Sequence, residues 1–192
     1  MKKKLLILSV IALLSVAVLG TLAYLNAEET TTNVITTGSV DMVLYELDKD
    51  GNRYNEGMSF DDVMPGMVLY KEPIIENLDD TQAFYTRARV TVTATAKNGA
   101  SLSADPIALN IGEDWVYSDG WYYYCGEVAP DDKVTLFTNV TIDSAMGNEY
   151  QHCDVSVKIE AQAVQVKNNE VNANYGGDYT KIQGWPAVLA QL

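Results

Sequence analysis

A single histidine, His152, limits the chemistry this 192-residue chain can perform. A zinc protease of the common kind needs two histidines one helical turn apart with a glutamate between them, and one histidine cannot supply that set. Cys153, its neighbour, cannot complete a ligand pair or a Cys–His dyad with it, because adjacent residues on a strand point to opposite faces. A serine activated by His152 would need a further partner for the imidazole, and none is legible in the sequence. His152 is therefore expected at the surface, and no catalytic residue, metal ligand or cofactor is expected anywhere in the chain.

Asp48, Asp50 and Asn52 imitate the start of a calcium loop. That loop wants Gly at its sixth position and Glu at its twelfth, where this chain has Arg53 and Ser59. The Asp50-Gly51 step instead predicts a hairpin turn. The acidic doublets Asp61-Asp62, Asp79-Asp80 and Asp131-Asp132 read as solvated turns. Trp115 and the run Trp121-Tyr-Tyr-Tyr124 offer aromatic surface for stacking a sugar. Alternate strand residues face opposite ways, so at most half of these rings share one surface; the candidate binding face is Trp121, Tyr122 and Tyr124. Arg87 and Arg89 share a strand face with Tyr85, which predicts a local cation–π or carboxylate partner. Cys125 and Cys153 are the only cysteines. Two readings stand open for them, a disulfide formed outside the cytoplasm or two buried thiols acting as small apolar residues.

The elements that must position these residues are strands. From Val40 the apolar pattern has period two, with Val40, Met42 and Leu44 on one face. Phe84, Ala88, Val90, Val92, Ala94 and Ala96 alternate with Tyr85, Arg87, Arg89, Thr91 and Thr93, as a half-buried antiparallel strand requires. Trp115–Tyr117, Ser118-Asp-Gly120 and Trp121–Cys125 form an aromatic hairpin. Cys153, Val155, Val157, Ile159, Ala161 and Ala163 face the core of a last strand, with His152, Asp154, Ser156, Lys158, Glu160 and Gln162 opposite. Turn clusters separate these segments, and no long amphipathic helix interrupts them. The fold class is all-β, an antiparallel β-sandwich spanning 39–166. The tail, 167–192, is Asn- and Gly-rich; it either packs back through Ile182 and Trp185 or is partly disordered.

The N-terminal segment has secretory order. Lys2, Lys3 and Lys4 precede an apolar run from Leu5 to Leu19, and small residues follow. Residues 1–27 are expected to be a signal helix cleaved near Ala23, Tyr24 and Ala27; a retained single-span anchor is the alternative. The chain's net charge is −13. Losing three lysines with the signal leaves 10 basic against 26 acidic residues, a net −16. Such a surface repels polyphosphate, which argues against nucleic-acid binding. Residues 28–38 form a Thr-rich, β-prone leader whose Thr32, Val34, Ile35 and Thr36 have little to bury on their own.

The stretch Gly20-Thr-Leu-Ala-Tyr-Leu25, followed by Asn33-Val-Ile-Thr-Thr-Gly-Ser-Val-Asp-Met-Val-Leu44, resembles the camelysin and TasA-type family. So do Met64-Pro-Gly66, Lys71-Glu-Pro-Ile-Ile-Glu-Asn77 and Ala83-Phe-Tyr-Thr-Arg-Ala-Arg-Val90. The likeness covers roughly the first half of the chain, and Leu25 stands where that family usually has an aromatic. The resemblance implies export through a dedicated signal peptidase, contact with membrane only before cleavage, and a jelly-roll sandwich at the cell surface. For the TasA branch it implies a fibre subunit of biofilm matrix, with itself or related matrix proteins as partners and the leader as a donor strand. The alternatives are a monomeric surface module, binding glycan through the aromatic hairpin, and a camelysin-like secreted metalloprotease.

Overall fold

The computed structural model describes residues 40–78, 81–167, 169–185 and 190–191. The signal segment, the cleavage residues Ala23, Tyr24 and Ala27, and the leader residues Thr32, Val34, Ile35 and Thr36 lie outside the described residues. The described chain is mostly antiparallel sheet. In order it forms β1 (Met42–Leu47), β2 (Arg53–Tyr54), β3 (Ser59–Val63), β4 (Val68–Tyr70), β5 (Glu72–Asn77), β6 (Phe84–Thr95) and β7 (Ser101–Leu102). Then come β8 (Ile107–Leu109), β9 (Trp115–Ser118), β10 (Trp121–Tyr124), β11 (Lys133–Thr135), β12 (Asn139–Ile142) and β13 (Cys153–Gln165). A short helix α1 (Val171–Tyr175), a 3-10 turn at Tyr179–Lys181 and β14 (Ala190–Gln191) end it.

The largest sheet runs β14-β13-β6-β10-β9, with β3 also on β13 and β7 on β6. Its spine is the β6–β13 ladder, paired without interruption from Phe84↔Gln165 to Thr95↔Asp154. Long strands form here because both sequences keep period two over most of their length, so one register brings Phe84, Ala88, Ala94, Val155, Val157, Ile159, Ala161 and Ala163 into the core together, with Val90 and Val92 half-buried beside them. The remaining strands form two smaller sheets, β11-β5-β1-β2 and β4-β12-β8. These two are arms of one bent ladder. Ile74 pairs with Thr135 and Tyr70 with Asn139 in the same register. Across the bend, Leu136 N donates to Pro73 O (3.1 Å) and Lys71 N to Thr138 O (3.1 Å).

One core unites the bent ladder and the large sheet in a sandwich-like arrangement. Met42 and Leu44 of β1, Ile75 of β5, Val140 and Ile142 of β12 pack with Phe84 and Ala88 of β6 and with Val155, Val157 and Ile159 of β13. Burying a large aliphatic or aromatic side chain contributes about 1.5–3 kcal/mol, so this shared cluster is the principal source of stability. β1 is buried on both faces, its Val43 and Tyr45 joining Ile74 in a second cluster. The tail forms a third. Val171 and Ile182 pack on Tyr85, with Tyr175, Tyr179 and Trp185 around them. Of the two outcomes expected for the tail, the described part takes the first, packing back through Ile182 and Trp185.

Candidate functional site

The aromatic hairpin closes through Asp119 (φ 48°) and Gly120 (φ 82°). Two consecutive left-handed residues are the signature of the turn whose twist matches paired strands, which is why an Asp-Gly step sits there. The register pairs Tyr122 with Tyr117 and Tyr124 with Trp115. Tyr122 also lies opposite Ala88, a core residue. Tyr122 and Tyr124 therefore point inward and pack on the main core, while Trp121 and Tyr123 point to the other side. This corrects the expected face of Trp121, Tyr122 and Tyr124: neighbouring strand residues cannot share a surface, and the outward rings are Trp121 and Tyr123.

That outward layer centres on Arg87, paired across strands with Tyr123 and Gln162. Its guanidinium lies 4.3 Å from the Trp121 ring centroid and 4.6 Å from that of Trp185. Nε donates to Gln162 Oε1 (2.8 Å), and one terminal nitrogen donates to the Tyr123 hydroxyl (2.9 Å). The planar fork thus stacks and hydrogen-bonds at once, a combination lysine cannot match. Arg89, beside it, lies 4.8 Å from the Trp121 centroid and forms an ion pair with Glu160, its cross-strand partner. Both the cation–π and the carboxylate partners expected for Arg87 and Arg89 are present. Trp185 Nε1 donates to Ile182 O (2.7 Å), and its ring meets Tyr123 edge-on at 5.9 Å. Tyr123, Gln162 and Trp185 were not legible as a set. Strand parity could have placed Tyr123 beside Trp121, but nothing local signals where a tail 60 residues downstream will dock.

Cys125 and Cys153 are free thiols, the first exposed and the second buried. No bridge joins them. Tyr123 pairs with Arg87, which carries Cys125 to the level of Tyr85; Asp154 pairs with Thr95, which puts Cys153 at the level of Ala96. At about 3.3 Å per residue the two levels are roughly 35 Å apart, against a limit of about 7 Å between bridged Cα atoms. Burial pushes the Cys153 thiol up, and partial desolvation with the nearby Asp114 charge pushes up the more exposed Cys125 thiol, which removes nucleophilic thiolate at neutral pH. His152 is exposed, in a left-handed conformation (φ 60°), its Nδ1 2.6 Å from Asp62 Oδ1. Lys97 Nζ also reaches that oxygen (3.1 Å), and the hydrogen bonds from Lys97 and His152 hold the Asp62 carboxyl below the usual carboxylate range. Asp48 spends both carboxylate oxygens on its own turn. They accept from the backbone N–H of Asp50 and Asn52, from the Asn52 amide and from the Tyr54 hydroxyl. That leaves a hairpin rather than a calcium loop. Among the described residues, no group of three or more His, Cys, Asp or Glu could hold a metal ion.

Two buried polar anchors went unread in the sequence. Glu46 and Lys71 are fully buried and form an ion pair. Glu46 Oε2 accepts from Met58 N (2.6 Å), and Lys71 Nζ donates to Met58 O (3.0 Å). Burial pushes the carboxyl up and the amine down, and each charge partly offsets the shift of the other. Asn77, also fully buried, donates to Gln82 O and Val128 O and accepts from the Thr81 hydroxyl. The signal was parity: Glu46 shares a face with Met42 and Leu44, and Lys71 and Asn77 share one with Ile75.

The sheet edges complete the surface. Beyond Glu46 and Leu47, the outer edge of β1 pairs with no described strand, although β14 lies close to β1. β9 and β4 are edge strands of different sheets. No family model matches the chain, and a search of curated proteins finds no match.

Proposed function

We propose that this chain is an exported structural subunit of extracellular matrix or cell-surface fibres. The subunit is a jelly-roll-like sandwich without catalytic role that assembles head-to-tail with copies of itself or with related matrix proteins. A signal peptidase removes 1–27, and the freed leader, 28–38, inserts as a donor strand into the next subunit. The observation that supports this reading is the edge of β1: four apolar, uncharged residues, Met42–Tyr45, whose outer side pairs with no described strand, although β14 lies close to β1. An unpaired edge offers free N–H and C=O groups to an incoming strand. The leader is β-prone and carries no charge between Thr30 and Val40, so it can approach another strongly acidic subunit without repulsion. The resemblance of Gly20–Leu44 and Met64–Val90 to the camelysin and TasA-type family points the same way, toward its fibre-forming branch.

A monomeric glycan module draws less support, since guanidinium groups already lie over the Trp121 ring. The test deletes 28–37 and follows the exported protein by electron microscopy. Filaments are expected from the wild-type chain and not from the deletion; filaments persisting unchanged reject donor-strand insertion.

A further inference from the structure

Two sheet edges open on the same side of this molecule. β2 lies on the outer side of β1, and residues 55–58 lead from it to β3, which lies on the outer side of β13. Along that side β1 and β13 run in opposite directions. The Thr86 hydroxyl lies 3.9 Å from Sδ of Met42, the first residue of β1, and Thr86 pairs with Ala163 near the end of β13. Glu46, near the end of β1, accepts from Met58 N, and the next residue, Ser59, pairs with Ser156 near the start of β13. β2 and β3 close the side at this second level. From Val157 to Gln165 lie nine residues, about 30 Å of strand. Over that length the outer edge of β13 pairs, among the described residues, only with β14, at Glu160↔Gln191 and Ala161↔Ala190. β14 also lies close to β1. A two-residue strand thus sits in a slot with room for nine.

We propose that this slot is the acceptor for the leader, 28–38, of another copy, and that β14 is a resident occupant which the leader displaces. The inference rests on the donor-strand reading and names its receiving site. Length supports it: eleven extended residues span about 36 Å, enough to cover the slot from end to end. Main-chain bonding supports it as well. β14 pairs with two residues of β13, whereas an added strand can pair along the whole free stretch. Direction selects a neighbour's slot. The chain joins β1 at the Ala163 end, and Leu78 N donates to Asp41 O (3.1 Å), so the pairing of β1 with β5 extends back to Asp41. A leader reaches its own slot only by reversing at Gly38-Ser39, while a neighbour's leader enters without a reversal. A resident strand lowers the apparent affinity for the leader by the fraction of time the slot is free, which holds copies apart until β14 lifts.

The test uses the exported chain with 28–37 deleted, which cannot donate a leader, and a labelled peptide of residues 28–38 as the incoming strand. Fluorescence anisotropy reads the affinity, and hydrogen exchange locates the peptide. Two variants weaken β14: removal of 188–192, and Ala190→Pro, which takes an N–H from the strand. Both keep Ile182 and Trp185, so the tail stays docked on Tyr85. Each is expected to bind the peptide about tenfold more tightly, the gain when β14 holds the slot about nine-tenths of the time. The peptide should newly protect amides between Val157 and Gln165. Equal affinity with and without β14 overturns the displacement, and protection elsewhere overturns the slot; either result leaves the donor-strand reading standing. No binding by any of the three chains overturns both. Leader amides already protected in the exported chain, at concentrations below assembly, mean that the leader fills its own slot, which overturns exchange between copies.

Discussion

Lys71 and Glu46 show how two residues of the wrong polarity hold a core position. Neither charge reaches water, and together they grip both backbone groups of Met58, fastening the segment that leads from β2 into β3. Removing one partner strands a buried charge, so Lys71→Met is expected to cost about 3–5 kcal/mol in denaturant unfolding. The double variant Glu46→Leu/Lys71→Met should recover most of that loss, because the two desolvation costs vanish together. Glu160 gives a pH-dependent case. Partial burial raises its carboxyl, but Arg89 and Lys158 overcome this and leave it below its ordinary value of 4.5. The folded state therefore binds the proton less readily than the unfolded chain. The stabilisation is present above about pH 4.5 and is lost as pH falls through the depressed value. Arg89 is nearly half exposed, which limits the effect to about 1 kcal/mol or less. Unfolding midpoints measured from pH 6 to 3 should fall less steeply in Glu160→Gln than in wild type.

At the scale of elements, the tail behaves as a strap laid over the outer face of β6, β10 and β13. It contributes Val171, Ile182 and Trp185, and the large sheet answers with Tyr85, Tyr123 and Arg87. Trp185→Ala removes one side of the Arg87 stack and part of the apolar cover over Tyr85. Truncating a half-buried tryptophan that also stacks a cation is expected to cost about 2–3 kcal/mol. It should also make the amides of Val171–Tyr175 exchange faster while those of the β6–β13 ladder stay protected. Uniform loss of protection would mean that the strap and the sandwich unfold as one unit.

At the scale of the whole molecule, stability comes from a shared hydrophobic core without covalent help. Cys125 and Cys153 sit at opposite ends of the long ladder, so a reducing agent should leave the melting temperature of the monomer unchanged. A drop of several degrees on reduction would require a bridge that this topology forbids.

The alternation of apolar and polar residues along Phe84–Thr95 and Cys153–Gln165 determined by itself which side of each strand is buried, because side-chain direction is a local property of extended backbone. The Asp119-Gly120 and Pro65-Gly66 turns were local in the same way, each needing a residue that tolerates positive φ. Ile182 and Trp185 were legible as anchors, being large apolar residues in a polar tail. Only the tertiary structure decided what those elements face. The pairing order separated Cys125 from Cys153, sent Tyr122 and Tyr124 inward, brought Trp185 onto Arg87 and made edges of β4 and β9. Each of these outcomes depends on which strand lies beside which, a choice made by the fit of the entire core and written in no single segment.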